Sequence, residues 1–332
     1  MIRSSLIPGL FAALLALGLV APQKGAEVRL GQGAHTYRWV DGWAKLPDGA
    51  GLGNTHGCIV VDKDDNVYVN TDTENAVVVF DRDGNFLRAF GEELRGGLHG
   101  MQIRAEDGVE YLYATHIGQH VALKMTLAGE VLWTLGYPEE SGLYDDANQY
   151  RPTSIAVAPN GDLFVADGYG LSWIHVFDAE RNYLRTLGGR GGLRGQFQTC
   201  HGIAIDEWNG EPALLVADRE NDRVQVLDLD GRVLDVLGGE LRRPCHLQWK
   251  DGALLVPGLA GRVTVLDGEG ATLAVLGDQP DEALRARNDV GADRWRAGEF
   301  LSPHCARWDS NGDLYVMDWN FLGRVTKLER VR

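Results

Sequence analysis

The sequence predicts an all-β fold, a six-bladed β-propeller in which an N-terminal strand completes the last blade. Three observations carry that expectation. The chain repeats itself six times at the length of a propeller blade, its apolar runs are short and separated by glycine-rich turns, and its last repeat is one strand short while a spare strand precedes the first.

The repeats set the architecture. HGCIVVDKDDNVYVNTDTENAVVVFDRDGNFLRAFG from His56, TSIAVAPNGDLFVADGYGLSWIHVFDAERNYLRTLG from Thr153, HGIAIDEWNGEPALLVADRENDRVQVLDLDGRVLDVLG from His201 and HCARWDSNGDLYVMDWNFLGRVTKLE from His304 share one grammar. An apolar strand meets an Asp/Asn/Gly turn; a second strand ends near Asp; a third strand, a turn and a fourth follow. Weaker copies begin at His99 and His246. The equivalent starting positions are Gly57, His99, Thr153, His201, His246 and His304, spaced by 42, 54, 48, 45 and 58 residues. A solenoid is compatible with the period, but the strands alternate and lack helical periodicity.

The turns and the closure follow the same logic. The 43 glycines fall between apolar runs and not at every third position, which excludes a collagen-like chain. The last repeat ends with GRVTKLE as its third strand, and TYRWVDGW around Tyr37 resembles the missing fourth. A strand borrowed from the N-terminus closes a ring and removes the exposed edge. Residues 27–332 are therefore read as one domain. Two longer loops, 137–150 and 278–299, precede blades three and six; they either shape the mouth of a pocket or are plain surface insertions.

Composition narrows the partners. A formal charge of −15 disfavours nucleic acid, whose phosphates require a positive face. Residues 1–26 read as a signal peptide: Met-Ile-Arg, then a mostly apolar stretch from Leu6 to Ala21, too short for a comfortable membrane span. The expectation is a secreted or periplasmic monomer, with no membrane association beyond that segment. Export places the four cysteines in an oxidising compartment. Their spacing is not that of a zinc ribbon. Cys200 and Cys245 each precede the repeat's starting position on adjacent blades; Cys58 and Cys305 each follow it on blades that closure makes neighbours. Disulfides Cys200–Cys245 and Cys58–Cys305 rank first, free core thiols second and metal ligation third.

The histidines point to chemistry. Of nine, His99, His201 and His304 occupy the same register on blades two, four and six. The innermost strand of each blade runs along the central channel, so alternate blades present them a third of a turn apart. One such histidine is a channel-lining residue; three imidazoles converging from three directions are a first shell for zinc with an open fourth site. These donors suit calcium less well. His246 shares the register on blade five and is a possible extra ligand, a group behind the ligands or a proton carrier. His56 is one residue out of register and is not read as a ligand.

The repeat wording resembles the NHL repeat over the whole chain after residue 26. Leu98-His99-Gly100-Met101, Cys200-His201-Gly202-Ile203 and Pro303-His304 resemble the three zinc-histidine blades of peptidyl-α-hydroxyglycine α-amidating lyases. Asp167-Gly168-Tyr169-Gly170 is similar to that family's SDGYxNSR segment, and Ala217-Asp218-Arg219-Glu220-Asn221 to its ADREN segment. The resemblance implies a zinc-dependent carbon–nitrogen lyase with Tyr169 and Arg219 as catalytic residues. Its reaction would cleave a carbinolamide N–C bond in a small-molecule or peptide substrate, giving an amide and glyoxylate. Arg219 has a structural alternative, since an arginine in this turn also pairs with a neighbouring blade's Asp.

The chain departs from the family in three places, the first being Leu171-Ser172-Trp173 where the family's tyrosine segment ends in NSR, which implies a different pocket wall. Where the family has a second active-site arginine on blade one, it reads Asn70-Thr71-Asp72. Where the family has an acidic calcium ligand after the third histidine, it has Cys305, so weak calcium binding or none is expected. Two other readings of the fold remain open: a non-catalytic NHL propeller that binds a protein or glycan, and a calcium-dependent lactonase. The second needs acidic residues converging on the axis, where the inner register here offers His, Gly and Thr.

Overall fold

The computed structural model describes residues 27–208 and 210–332. The signal segment expected over residues 1–26 lies outside the described residues. Twenty-five strands form six antiparallel sheets, and among the described residues the only helical segments are single 3-10 turns. The six innermost strands are Ile59–Val61, Leu98–Glu106, Ser154–Val157, Cys200–Trp208, Gln248–Lys250 and Pro303–Trp308. Each is followed in chain order by the next strands of its own blade. Neighbouring blades touch in sequence around the ring, with blade six against blade one.

No single centre holds the core. Apolar clusters lie as wedges between adjacent blades: Phe164, Ile174 and Phe197 meet Ile203 and Leu214 between blades three and four, and Leu215 and Val224 meet Leu254 and Val256 between blades four and five. Sheets packed face to face bury the inward side chains of both, so each wedge welds one blade to the next. The axis is thereby left to the ends of the inner strands, where polar residues can gather.

The turn between the outer strands explains the recurring Asp. Asp81, Asp228 and Asp267 each accept two backbone N–H groups from the residues two and four further on, at 2.8–3.2 Å. Such Asx turns stand in for backbone hydrogen bonds. The glycine that follows in each, Gly84, Gly231 and Gly270, has φ of 82°, 93° and 82°, the left-handed region where a side chain is strained.

His35–Val40 pairs antiparallel with Arg324–Arg330, with Tyr37 opposite Arg330 and Val40 opposite Lys327. Tyr37 is buried, and its hydroxyl accepts the Trp308 indole N–H at 2.8 Å. A further strand, Arg29–Gln32, adds a fifth member to this blade, and Gln32 reaches the Leu273 carbonyl of blade five at 3.0 Å. The sequence reading had no place for that fifth strand. The loop 278–299 contains only the 3-10 turns Glu282–Leu284 and Ala292–Arg294.

Candidate metal centre

Three inner strands break register at one place. The pairing shifts between Leu98 and Met101, between Cys200 and Gly202, and between Pro303 and Cys305. Each bulge encloses one histidine: His99, His201 or His304. The inner strands of blades one, three and five pair without such a shift. A β-bulge re-aims a side chain that a regular ladder would point elsewhere. Of the four histidines in register, the three on alternate blades are thus also the three that the backbone turns.

Their rings converge. Centroid separations are 4.9 Å for His99–His201, 5.0 Å for His99–His304 and 4.6 Å for His201–His304. His246 joins them at 5.1–5.6 Å, and His56 lies 5.0 Å from both His99 and His304. Two sets of donors come within 4.8 Å of one another: His56, His99 and His304; and His201, Cys245 and His304. His304 belongs to both. The predicted triad is brought together, and the structure adds two donors beside it. His56 is one residue out of register, and in the sequence only its position next to Gly57, the starting position of blade one, ties it to this ring.

Hydrogen bonds decide which nitrogens are free. His99 Nδ1 lies 2.7 Å from the Thr153 carbonyl and His304 Nδ1 lies 2.6 Å from the Gly57 carbonyl. A carbonyl only accepts, so Nδ1 carries the proton in both rings and Nε2 keeps its lone pair. Each carbonyl comes from the starting position of the next blade, so the propeller itself holds the tautomer, as carbonyls behind metal-bound histidines do. The Nε2 atoms of His99, His246 and His304 and Nδ1 of His201 are buried without a partner. Burial holds all four imidazoles well below their ordinary pKa, and the neighbouring cationic groups add to it. A cluster of buried, neutral, unpartnered imidazole nitrogens is the donor set a divalent metal such as zinc takes up.

Tyr169 stands at the edge of this cluster. Its hydroxyl is 2.9 Å from His201 Nε2 and 3.2 Å from His56 Nε2, and it accepts from Arg219 Nη1 at 3.2 Å. The Arg219 guanidinium also lies over the ring, 5.2 Å from its centroid. Burial pushes the phenol up to about 12, with Arg219 pulling it back down. The turn that carries Tyr169 is tied by Asp167, whose carboxylate accepts the Arg151 and Leu171 N–H groups at 2.6 Å and the Tyr144 hydroxyl at 2.8 Å. A Cβ on Gly168 would collide with the Cys200 carbonyl, and one on Gly170 with the Asp167 carboxylate. That is the physical reason for the wording Asp-Gly-Tyr-Gly.

Arg219 does not make the inter-blade Asp pair that the sequence left open. Arg223 instead binds Asp218 at 2.7 Å, and Arg219 turns towards Tyr169, steadied by Glu220 at 2.9 Å. Arg243 holds the same Glu220 at 2.7 Å. Asn70, where a second arginine was sought, donates its side-chain amide to the Leu98 carbonyl at 2.8 Å.

The expected disulfides are not present: all four cysteines are free and buried. The thiols face carbonyls instead. Cys200 points at Trp173 O (3.5 Å) and Cys245 at Arg243 O (3.6 Å), while Cys58 and Cys305 share Ile59 O at 3.6 and 3.5 Å. Burial pushes the Cys245 thiol up to about 11, partly offset by Arg219 and Arg243. The Arg307 guanidinium lies 3.7 Å from Cys58. Two thiols and a cation around Ile59 do not fit calcium, which takes oxygen ligands.

No family model matches the chain. Among curated proteins, it is 30% identical over 250 residues to peptidyl-α-hydroxyglycine α-amidating lyase 2 of Drosophila melanogaster, covering 74% of this chain and 58% of that protein. It is 32% identical over 153 residues to a probable peptidyl-α-hydroxyglycine α-amidating lyase of Caenorhabditis elegans, covering 45% of this chain and 42% of that protein. The chain spans about half the length of the curated relatives it matches. Among solved structures, a streptogramin B lyase superposes with a TM-score of 0.59 at 14% identity, covering 84% of this chain and 95% of that one. A gluconolactonase from Xanthomonas campestris superposes with a TM-score of 0.61 at 11% identity, covering 91% and 95%. At these identities the structural likeness speaks for the fold alone. The chain is a six-bladed β-propeller whose curated relatives, at modest identity, are named peptidyl-α-hydroxyglycine α-amidating lyases.

Proposed function

We propose that the axial histidines hold zinc and that the protein is a lyase of the amidating type. It would split the N–C bond of an α-hydroxyglycine derivative into an amide and glyoxylate. The observation that carries this reading is the set of bulge-borne imidazoles with unpartnered buried nitrogens, beside the Tyr169–Arg219 pair. The names of the curated relatives point the same way. The apolar stretch Leu6–Ala21 supports a site of action outside the cytoplasm.

The reaction needs no external reagent. The hydroxyl O–H proton leaves, the carbon–oxygen double bond forms, the N–C bond breaks, and the departing amide nitrogen gains one proton. A bound divalent metal supplies Lewis acidity towards the substrate oxygen. His99, His201 and His304 would hold it. Tyr169 sits where it can take the hydroxyl proton and return it to the leaving nitrogen, as a positioned acid–base group does. Arg219 keeps positive charge against the Tyr169 oxygen and would pair with the carboxylate that an α-hydroxyglycine substrate already carries. Arg219 is then the carboxylate's partner on its own, since Asn70 is committed to Leu98.

The test is glyoxylate release from a simple α-hydroxyglycine derivative, together with metal analysis of the protein as purified. We expect zinc bound and glyoxylate formed, and both lost when His99, His201 and His304 are changed together to Ala. Zinc content that survives the triple change would remove the metal assignment. A zinc-loaded protein that releases no glyoxylate would leave a non-catalytic binding propeller.

A further inference from the structure

The geometry points to Cys245 as a thiolate ligand to the axial metal, completing the donor set with His201 and His304. This inference rests on the metal-binding reading above and gives it a specific donor chemistry. Three facts carry it. Cys245, His201 and His304 bring ligand atoms within 4.8 Å of one another, and all three are buried. His201 Nδ1 and His304 Nε2 are buried with no hydrogen-bond partner, so both rings keep a nitrogen that no protein group engages. The thiol donates to Arg243 O at 3.6 Å and lies near the Leu259 N–H, and an S–H is so weak a donor that neither contact commits it elsewhere.

Its surroundings keep it at the axis. Cys245 lies one residue before the starting position of blade five, where the backbone is held by Cys245 N donating to Pro257 O at 2.9 Å. Gly202, just after His201, lies so close that a Cβ there would collide with the Cys245 carbonyl. Blades four and five are thus pressed together at this point, and Cys245 has little freedom to turn away. Cys200, its counterpart on blade four, points at Trp173 O instead and takes no part. A thiolate among imidazoles favours soft and borderline metals such as zinc, cadmium and cobalt over magnesium or calcium. It also lowers the net charge of the loaded site by one, which moderates the Lewis acidity left for substrate.

The experiment uses the full chain, stripped with a chelator and titrated with cobalt(II), a spectroscopic stand-in for zinc. We expect visible d–d bands and, in the near ultraviolet, a thiolate-to-cobalt charge-transfer band. Cys245→Ser should abolish the charge-transfer band, keep the visible bands and weaken cobalt binding at least tenfold; Cys200→Ser should change neither set of bands. Visible bands with no charge-transfer band in the unaltered protein overturn the Cys245 assignment and leave the histidine site standing. A charge-transfer band that survives Cys245→Ser assigns the sulfur elsewhere and overturns it too. Folded protein that binds no cobalt overturns the metal reading as a whole. Should Cys245→Ser fail to fold, X-ray absorption of the zinc-loaded natural protein decides the matter. A sulfur scatterer at about 2.3 Å supports the assignment, and a shell of only nitrogen and oxygen at about 2.0–2.1 Å overturns it.

Discussion

Tyr169 gathers more polar contacts than any other side chain at the axis, with His56, His201 and Arg219 all meeting its hydroxyl. Tyr169→Phe keeps the ring and removes only that oxygen. Turnover should fall by about 10²–10⁴-fold, the usual worth of a positioned acid–base group, while KM and bound metal stay close to the natural protein's. Glyoxylate release under saturating substrate measures the first, and metal analysis the last. A second residue-scale expectation concerns pH. His175 is fully buried, hydrogen-bonded to Tyr144 and Thr186, and burial pushes it down to about 3. Its unfolded value is about 6.5, so the unfolded chain takes up the proton first. Its contribution is present above about pH 6.5 and is lost as pH falls towards 3, roughly 2 kcal/mol between pH 7 and 5. Asp167 has the opposite sign: burial raises it to about 6, so its contribution is present at low pH and is lost as pH rises through 6. His175→Gln should flatten the acid-side fall in stability, read by chemical denaturation at pH 7 and pH 5. An unchanged slope would count against the assignment.

The elements that matter most are the bulges and the Asp167 turn. At the His99 and His201 bulges neighbouring blades come close, and Gly100 and Gly202 allow it: a Cβ on either would meet the backbone of the next blade. Gly202→Ala should cost about 1–3 kcal/mol through overpacking and shift His201, so bound zinc should fall as well. Denaturation and metal analysis on the same sample separate this from a purely structural loss, in which stability falls and zinc stays. The Asp167 turn acts by hydrogen bonding. Asp167→Ala leaves the Arg151 and Leu171 N–H groups unmet, at about 1–3 kcal/mol in stability. It also frees the turn that aims Tyr169, so turnover should fall with stability. Arg219 shows how an element can be read correctly in type and left open in role. The ADREN wording allowed both an ion pair between blades and a site arginine. The 3-10 turn Arg219–Asn221 gives Asp218 to Arg223 and leaves Arg219 for Tyr169.

At the scale of the molecule, the ring is held by wedges of core between blades and by a strand carried from one end of the chain to the other. Tyr37→Ala cuts the anchor of that strand, a fully buried ring with a hydrogen bond to Trp308. It should cost about 3–5 kcal/mol, as for other large buried aromatics. A loss below about 1 kcal/mol in chemical denaturation would mean that the closing strand is peripheral to stability. The blade count, the register of His99, His201 and His304 and the spare strand at Tyr37 were all legible in the amino-acid sequence, because each rests on local periodicity and equal spacing. The donors around that triad were not. Whether His56 and Cys245 reach the axis, whether Arg219 turns inward, and whether the cysteines meet each other depend on how far apart neighbouring inner strands sit and which way a side chain turns. Repeat spacing says that residues share a height in the ring. Only the packed ring decides which atoms are within reach, because those distances are set by blade-to-blade packing and by bulges that no single repeat encodes.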